Sequence, residues 1–192
     1  LLELAGLKNP FVDGTVEEVV AGLKPYLKRK VKYTIRPVKE EDLKKVAEVE
    51  ALCFPAAEAA GYEDFMERYK TCKNSFFVAE TEDGEIAGFC NGCADTDYLA
   101  DALYHDATLH NPDGDYQMIF GLDVNPKFQK QGIGEALMRH MVKSAGERDK
   151  KAVVLTCKDH MIPFYKRIGY EYIELSDSTH GGAKWHKMMY RF

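Results

Sequence analysis

The stretch Leu122-Asp123-Val124-Asn125-Pro126-Lys127-Phe128-Gln129-Lys130-Gln131-Gly132-Ile133-Gly134 constrains the fold of this chain more than any other. It reads as an apolar strand, a tight turn carrying Gln-x-x-Gly-x-Gly, and a helix from Glu135 to about Ala145 with Leu137, Met138, Met141 and Val142 on one side. Two glycines at a helix start let a phosphate approach the backbone closely. The free N–H groups of the first turn and the helix dipole then favour the anion. The same pattern also serves a helix start that needs glycine for packing alone. A Rossmann site would need a third glycine at its spacing, and a triphosphate loop would need Gly-Lys-Ser/Thr; neither is present.

A length of 192 residues fits one domain with a small appendage, and a 45% hydrophobic content allows a sizeable core. The formal net charge of −5 argues against a general nucleic-acid binder and leans towards a cationic partner such as an amine. Cysteines stand at 53, 72, 90, 93 and 157. Their odd number and the lack of a signal-peptide pattern predict a reducing, cytoplasmic setting. Cys90-Asn91-Gly92-Cys93 continues the apolar run from Ile86, so its thiols are expected to be small buried side chains. No second cysteine pair or histidine stands at zinc-ligand spacing, and no metal centre is expected. No run is long and apolar enough to cross a membrane.

Thr15-Val16-Glu17-Glu18 reads as a capping box, and Val16, Val19, Val20, Leu23 and Leu27 share one helical face behind it. Residues 1–30 are therefore expected to form an extension with one helix, outside a catalytic domain spanning 31–192. Tyr33 to Arg36 alternates as a strand that Pro37 ends. Helices are predicted over Glu40–Leu52 and Glu63–Cys72, then strands over Ser75–Thr81 and Glu85–Cys93 joined by the turn Glu82-Asp83-Gly84. The polar segment 96–115, with a short helix near Tyr98–Tyr104, is expected on the active-site side. The strand Tyr116–Val124, the helix 130–146, the strand Ala152–Cys157, a short helix at Ile162–Arg167, and strands Tyr170–Leu175 and Lys184–Phe192 follow. No internal repeat is visible.

The order β-α-α-β-β-β-α-β-α-β-β, the Gln-x-x-Gly-x-Gly turn and the opening Ile35-Arg36-Pro37 before an acidic helix resemble the GNAT superfamily of acetyl-CoA-dependent N-acetyltransferases over residues 31–192. The fold class so implied is α/β (α+β), with a mixed, mostly antiparallel central sheet flanked by helices. Phe54-Pro55-Ala56-Ala57-Glu58-Ala59-Ala60, Ala107-Thr108-Leu109-His110, Pro112-Asp113-Gly114 and Leu155-Thr156-Cys157-Lys158-Asp159 through Gly169-Tyr170 look like the arylalkylamine N-acetyltransferase branch. The resemblance implies acetyl-CoA as cosubstrate and direct transfer to a small primary amine in a ternary complex. It implies that Leu122, Asp123 and Val124 pair with the pantetheine arm. It places the pyrophosphate on Gln129, Lys130, Gln131, Gly132, Ile133 and Gly134, with Phe164 beside the cofactor. Phe54, Pro55 and segment 96–115 would wall the amine pocket.

Such a transfer needs a base, because an ammonium with a pKa of about 10 is unreactive at neutral pH. It also needs a donor to the oxyanion and a proton for the thiolate. Tyr165 matches the family's tyrosine acid to the thiolate, and a phenol is protonated at neutral pH. The two histidines that relay the proton in vertebrate arylalkylamine enzymes fall on Met118 and Phe120 here, neither of which takes a proton. Glu58 is the expected replacement base, with Asp123, His110 and His180 as further candidates. Cys157 as an acyl-carrying nucleophile is the alternative to direct transfer, and Lys158 replaces an asparagine that touches pantetheine in many relatives. Two rival readings stay open: an acetyl-CoA-binding sensor that no longer transfers, and an enzyme acting on peptides.

Overall fold

The computed structural model describes residues 30–192 except 100, 105 and 179, and gives no side-chain placement for 101, 102 and 180. The expected helix within residues 1–30 and the His180 imidazole lie outside the described residues. The domain Lys32–Phe192 is the second of the two units into which the chain divides. Its elements are β1 (Tyr33–Pro37), α1 (Leu43–Cys53), α2 (Tyr62–Cys72), β2 (Phe76–Thr81), β3 (Ile86–Asp95), β4 (Tyr116–Val124), α3 (Ile133–Gly146), β5 (Ala152–Cys157), α4 (Ile162–Arg167), β6 (Glu171–Leu175) and β7 (His186–Arg191). The sheet runs β1-β2-β3-β4-β5-β7-β6. Every neighbouring pair is antiparallel except β4 with β5. The predicted element order and class are those observed. Among the described residues no helix is long and apolar enough to cross a membrane.

Alternation along β2 and β3 assigns the two layers. Phe76, Val78, Ile86 and Phe89 meet Leu43, Val46 and Val49 of α1 and Phe65 of α2 on one side. The Phe65 and Phe89 rings stand edge to face at 5.4 Å. On the other side Cys90 reaches Met138 of α3, sulfur to sulfur at 3.8 Å, and Phe77 meets the His140 ring at 4.5 Å. The Glu82-Asp83-Gly84 turn forms as expected, with Thr81 N–H donating to the Glu85 carbonyl and Gly84 N–H to the Thr81 carbonyl. Arg36 ties β1 to its surroundings through Asp42 at 2.6 Å and Glu80 at 2.7 Å.

Two features of β4 position the site. Asn91 pairs with Gly121 and Gly92 with Ile119, so Phe120 is an extra residue that kinks β4 and increases its twist. Gly92 permits this close approach, since a Cβ there would stand 1.8 Å from the Met118 carbonyl oxygen. The parallel pairing with β5 then stops: Tyr116 to Ile119 face Ala152 to Leu155, and beyond these the strands part.

One expectation is corrected. Cys72 and Cys93 are joined in a disulfide rather than standing as free thiols; Cys53, Cys90 and Cys157 remain thiols. Residues 90 and 93 are an odd number apart, so they face opposite layers, and Cys93 meets the end of α2 instead of its near neighbour. His110 joins this pair, with its ring nitrogen and the two sulfurs within 4.8 Å of one another, a proximity that spacing in the chain did not reveal.

Candidate active site

A cavity of about 920 Å³ opens where β4 and β5 part. One wall comes from the turn before α3. Asn125 caps the short helix Pro126–Phe128, its side chain accepting from Lys127 N–H at 3.0 Å. Gln129 then donates to the Val124 carbonyl at 3.0 Å, bracing the end of β4. Gly132 caps α3 with φ 86°, and a Cβ at this position would meet nothing within 4 Å. The first helical bond runs from Ala136 N–H to the Gly132 carbonyl. The N–H groups ahead of it are therefore the ones that a helix leaves for a ligand. Lys130, Gly132, Ile133, Gly134 and Phe164 line the cavity, as do Leu122, Asp123 and Val124 of β4. Gln131 and Pro55 are not among its lining residues. The Pro55 carbonyl instead accepts from Glu58 and Ala59 N–H and shapes the loop between α1 and α2.

Tyr165 lies on α4 with 6% of its surface exposed, lining the cavity next to β5. Its ring packs edge-on against Phe164 at 5.0 Å and Tyr170 at 5.7 Å. Burial, reinforced by Cys157, Cys90 and Asp123, pushes its phenol well above the ordinary tyrosine value. The phenol therefore keeps its proton at neutral pH. Burial likewise pushes the Cys157 thiol up to about 11, which disfavours a thiolate nucleophile there.

Glu58 lines the cavity, but both its carboxylate oxygens accept from Lys158 Nζ, at 2.7 and 3.0 Å. The Lys158 ammonium also lies over the Phe54 and Trp185 rings, at 5.9 and 5.5 Å. Glu58 and Lys158 thus bridge the α1–α2 loop and the end of β5. Phe54 lines the cavity, and Tyr104 and Ala107 bring segment 96–115 to its wall. Met118 is fully buried and Phe120 lines the cavity, so neither position of the missing histidine pair carries a base. His110 is outside the cavity lining: its Nδ1 accepts from Ala94 N–H at 2.9 Å, and burial lowers its pKa.

The residues that sequence reasoning passed over sit on the inner faces of α1 and α2. Glu50 is 6% exposed and Asp123 is 2% exposed; both line the cavity with Cys53, Asp64, Glu67 and Arg68. Glu50 follows Leu43 and Val46 on the buried face of α1, and a charge on an apolar helical stripe is the signal that marks it. Arg68 lies over the Phe65 and Phe120 rings at 5.3 and 5.2 Å and donates to Asn91 Oδ1 at 3.4 Å. Burial and the facing Glu50 push the Asp123 carboxyl up to about 9, and burial with Asp123 pushes the Cys53 thiol up to about 12.

Residues 43–170, more than half of the chain, match the Acetyltransferase (GNAT) family. A "Probable hydrolase YhcX" of Bacillus subtilis is 27% identical over 150 residues, covering 73% of this chain and 28% of that protein. The serotonin N-acetyltransferase of Mesocricetus auratus is 27% identical over 112 residues, covering 57% of this chain and 53% of that protein. The chain thus spans about half the length, or less, of these curated relatives. The solved GphF GNAT-like decarboxylase in complex with isobutyryl-CoA is similar in fold, with a TM-score of 0.71 at 20% identity over 82% of this chain and 98% of that one. The parted strands and the glycine turn therefore carry a known ancestry, and the chain belongs to the acetyltransferase (GNAT) family.

Proposed function

We propose that this chain transfers an acetyl group from acetyl-CoA directly to a small primary amine in a ternary complex. The observation that carries the reading is the opening between β4 and β5, which sets the glycine turn at one end and Tyr165 beside the other wall. The turn fits the group: the left-handed Gly132 leaves its approach clear of side chains, and Lys130 adds positive charge. The edge of β4 beyond Ile119 has lost β5 as a partner and suits the amide arm of pantetheine, which would add as a short strand. Acetyl-CoA bound there would supply the activated acyl group. Leu122, Asp123 and Val124 hold the arm through backbone groups, and Tyr165 holds a proton next to where the sulfur would lie.

Charge divides the cavity in keeping with this reading. Lys130 lies in the glycine turn, and Arg167 pairs with Glu135 of α3 at 3.9 Å, whereas Glu50 and Asp123 lie with Asp64, Glu67 and Arg68 of α2. Cys53 and Cys157, with thiols held neutral, favour direct attack over an acyl-cysteine intermediate. The test is coenzyme A release, with acetyl-CoA affinity measured by calorimetry, over a panel of primary amines and N-terminal peptides. Turnover with small amines and none with peptides is expected. Transfer to peptides alone replaces the small-amine reading, and binding without turnover on any acceptor leaves a sensor. An absence of heat from acetyl-CoA overturns the site itself.

A further inference from the structure

The floor of the cavity, on its α1–α2 side, holds polar groups that the transfer reaction as described does not use. Asp123 and Phe89 are opposite each other on β4 and β3, so the Asp123 side chain shares the layer of Phe89 and faces α1. There it stands near Glu50, and burial, with the negative charge of Glu50, raises the Asp123 carboxyl's affinity for its proton. Glu50 Oε2, Asp123 Oδ2 and Asn91 Nδ2 are buried atoms without a hydrogen-bond partner in the protein. Leaving three such groups unpaired in a core is costly, at about 1–3 kcal/mol each, and marks a place shaped for a polar guest. Gly121 forms a hollow between them: a Cβ there would lie 3.4 Å from Asp123 Oδ2 and 3.6 Å from Asn91 Nδ2. Gly121, Glu50 and Asp123 all line the cavity.

We propose that the Glu50–Asp123 carboxyl pair, set against the hollow at Gly121, is the proton acceptor for the ammonium of an incoming arylalkylamine. This rests on the acetyl-transfer reading above and assigns its missing base. Two facing carboxyls cannot both be ionised at short range, so the pair carries one proton and one negative charge. Burial and the facing Glu50 favour the protonated form of Asp123. Arg68 of α2 compensates the charge, and Asp64 and Glu67 of the same helix add negative potential around it. Cys53 of α1 is held as a neutral thiol and Tyr165 of α4 as a neutral phenol, so neither competes for the proton. The surroundings thus favour a cation, and the Phe54, Tyr104 and Phe120 rings offer an apolar wall for an aromatic body.

The protons balance. One proton of the ammonium passes to the carboxylate of the pair, and the freed nitrogen lone pair forms a bond to the thioester carbon. The C–S bond breaks with its electrons on sulfur. Tyr165 gives its proton to that sulfur and regains one from the nitrogen, leaving one hydrogen on the product amide. The pair returns its extra proton to solvent once the amide leaves.

The test compares 2-phenylethylamine with its 2,2-difluoro analogue, nearly the same shape but far less basic and largely neutral near pH 7. In the Glu50→Gln/Asp123→Asn double variant, kcat/KM for phenylethylamine should fall by about 10²–10⁴. The fall for the difluoro analogue should be at least about tenfold smaller, with unchanged acetyl-CoA affinity, because that amine needs no base. The residual phenylethylamine rate should rise with pH as free amine accumulates. Equal losses for both amines indicate a structural role and overturn the proposal, as do wild-type rates for both. If the double variant does not fold, the single variants are read in the same way, since each removes half of the pair. Acetyl-CoA binding by the wild type without transfer to either amine overturns the acceptor class, whereas a lack of acetyl-CoA binding overturns the underlying reading instead.

Discussion

Removing one oxygen at Tyr165 is the sharpest test of the transfer chemistry. In Tyr165→Phe the ring stays, and with it the edge-on contacts to Phe164 at 5.0 Å and Tyr170 at 5.7 Å. Such ring pairs are worth about 0.5–1.5 kcal/mol each, and keeping both holds the fold together. The phenol is the group lost, and burial had kept it protonated far above its ordinary range. General-acid work contributes about 10²–10⁴ in rate, which is about 2.7–5.4 kcal/mol of barrier. Steady-state kinetics on a saturating amine should therefore show kcat down by that factor. Calorimetry should show acetyl-CoA affinity within about threefold of wild type, because the binding groups proposed above are the backbone of β4 and the glycine turn. The basic limb of the pH profile should not come from Tyr165, since its proton is held throughout the accessible range. A wild-type kcat, or a loss confined to cofactor affinity, refutes the assignment.

Further outcomes are expected. Glu58→Gln should cost less than about tenfold in kcat, because its carboxylate is bound to Lys158; a fall of about 10²-fold or more would restore Glu58 as the base. Gly132→Ala forces a side chain onto φ 86°, a strain of about 1–2 kcal/mol, and calorimetry should find acetyl-CoA binding weaker by about tenfold. The folded-state value of Asp123, about 9, lies above the ordinary 3.8, so its protonated form stabilises the fold. That stabilisation is complete below about pH 4 and lost as pH climbs through about 9. Asp123→Asn should therefore gain urea resistance over wild type as pH rises from about 5 to 9, and a difference that stays flat with pH would show an ionised Asp123 in the native state. Reducing the Cys72–Cys93 bond, which closes a loop across 21 residues, should cost about 3 kcal/mol and lower the Tm. A Tm indifferent to reductant would argue that the bond does not form.

The main chain of the site was readable because periodicity and turn chemistry are local. The Gln129–Gly134 turn, the apolar β4 and the amphipathic α3 each declare themselves within a few residues, whereas Tyr165 was singled out only by the likeness of Pro163-Phe164-Tyr165 before Gly169-Tyr170 to the family's motif. The order of elements along the chain and their boundaries came out within a few residues because those local signals set them. Side-chain partnerships across the chain did not. Glu58 and Lys158 are separated by 100 positions, and nothing near either shows that they pair. Cys72 and Cys93 meet because α2 crosses β3, and the reading of Cys90 and Cys93 as small buried thiols carried no sign of that bond. Glu50 was legible in principle as an acid on the inner stripe of α1. Its meaning depends on Asp123, and the facing of that side chain depends on the register of β4 against β3.

The parting of β4 and β5 has a mechanical side. Among the described residues, strands β1–β4 and β5–β7–β6 form two half-sheets whose strands pair with each other only at Tyr116–Ile119 with Ala152–Leu155. A guest strand laid along the open portion would lengthen this short seam and act as a splint between the halves. Amide exchange in the second half of β5 should accordingly slow when coenzyme A is added, by more than at strands such as β1 and β2 that lie far from the seam.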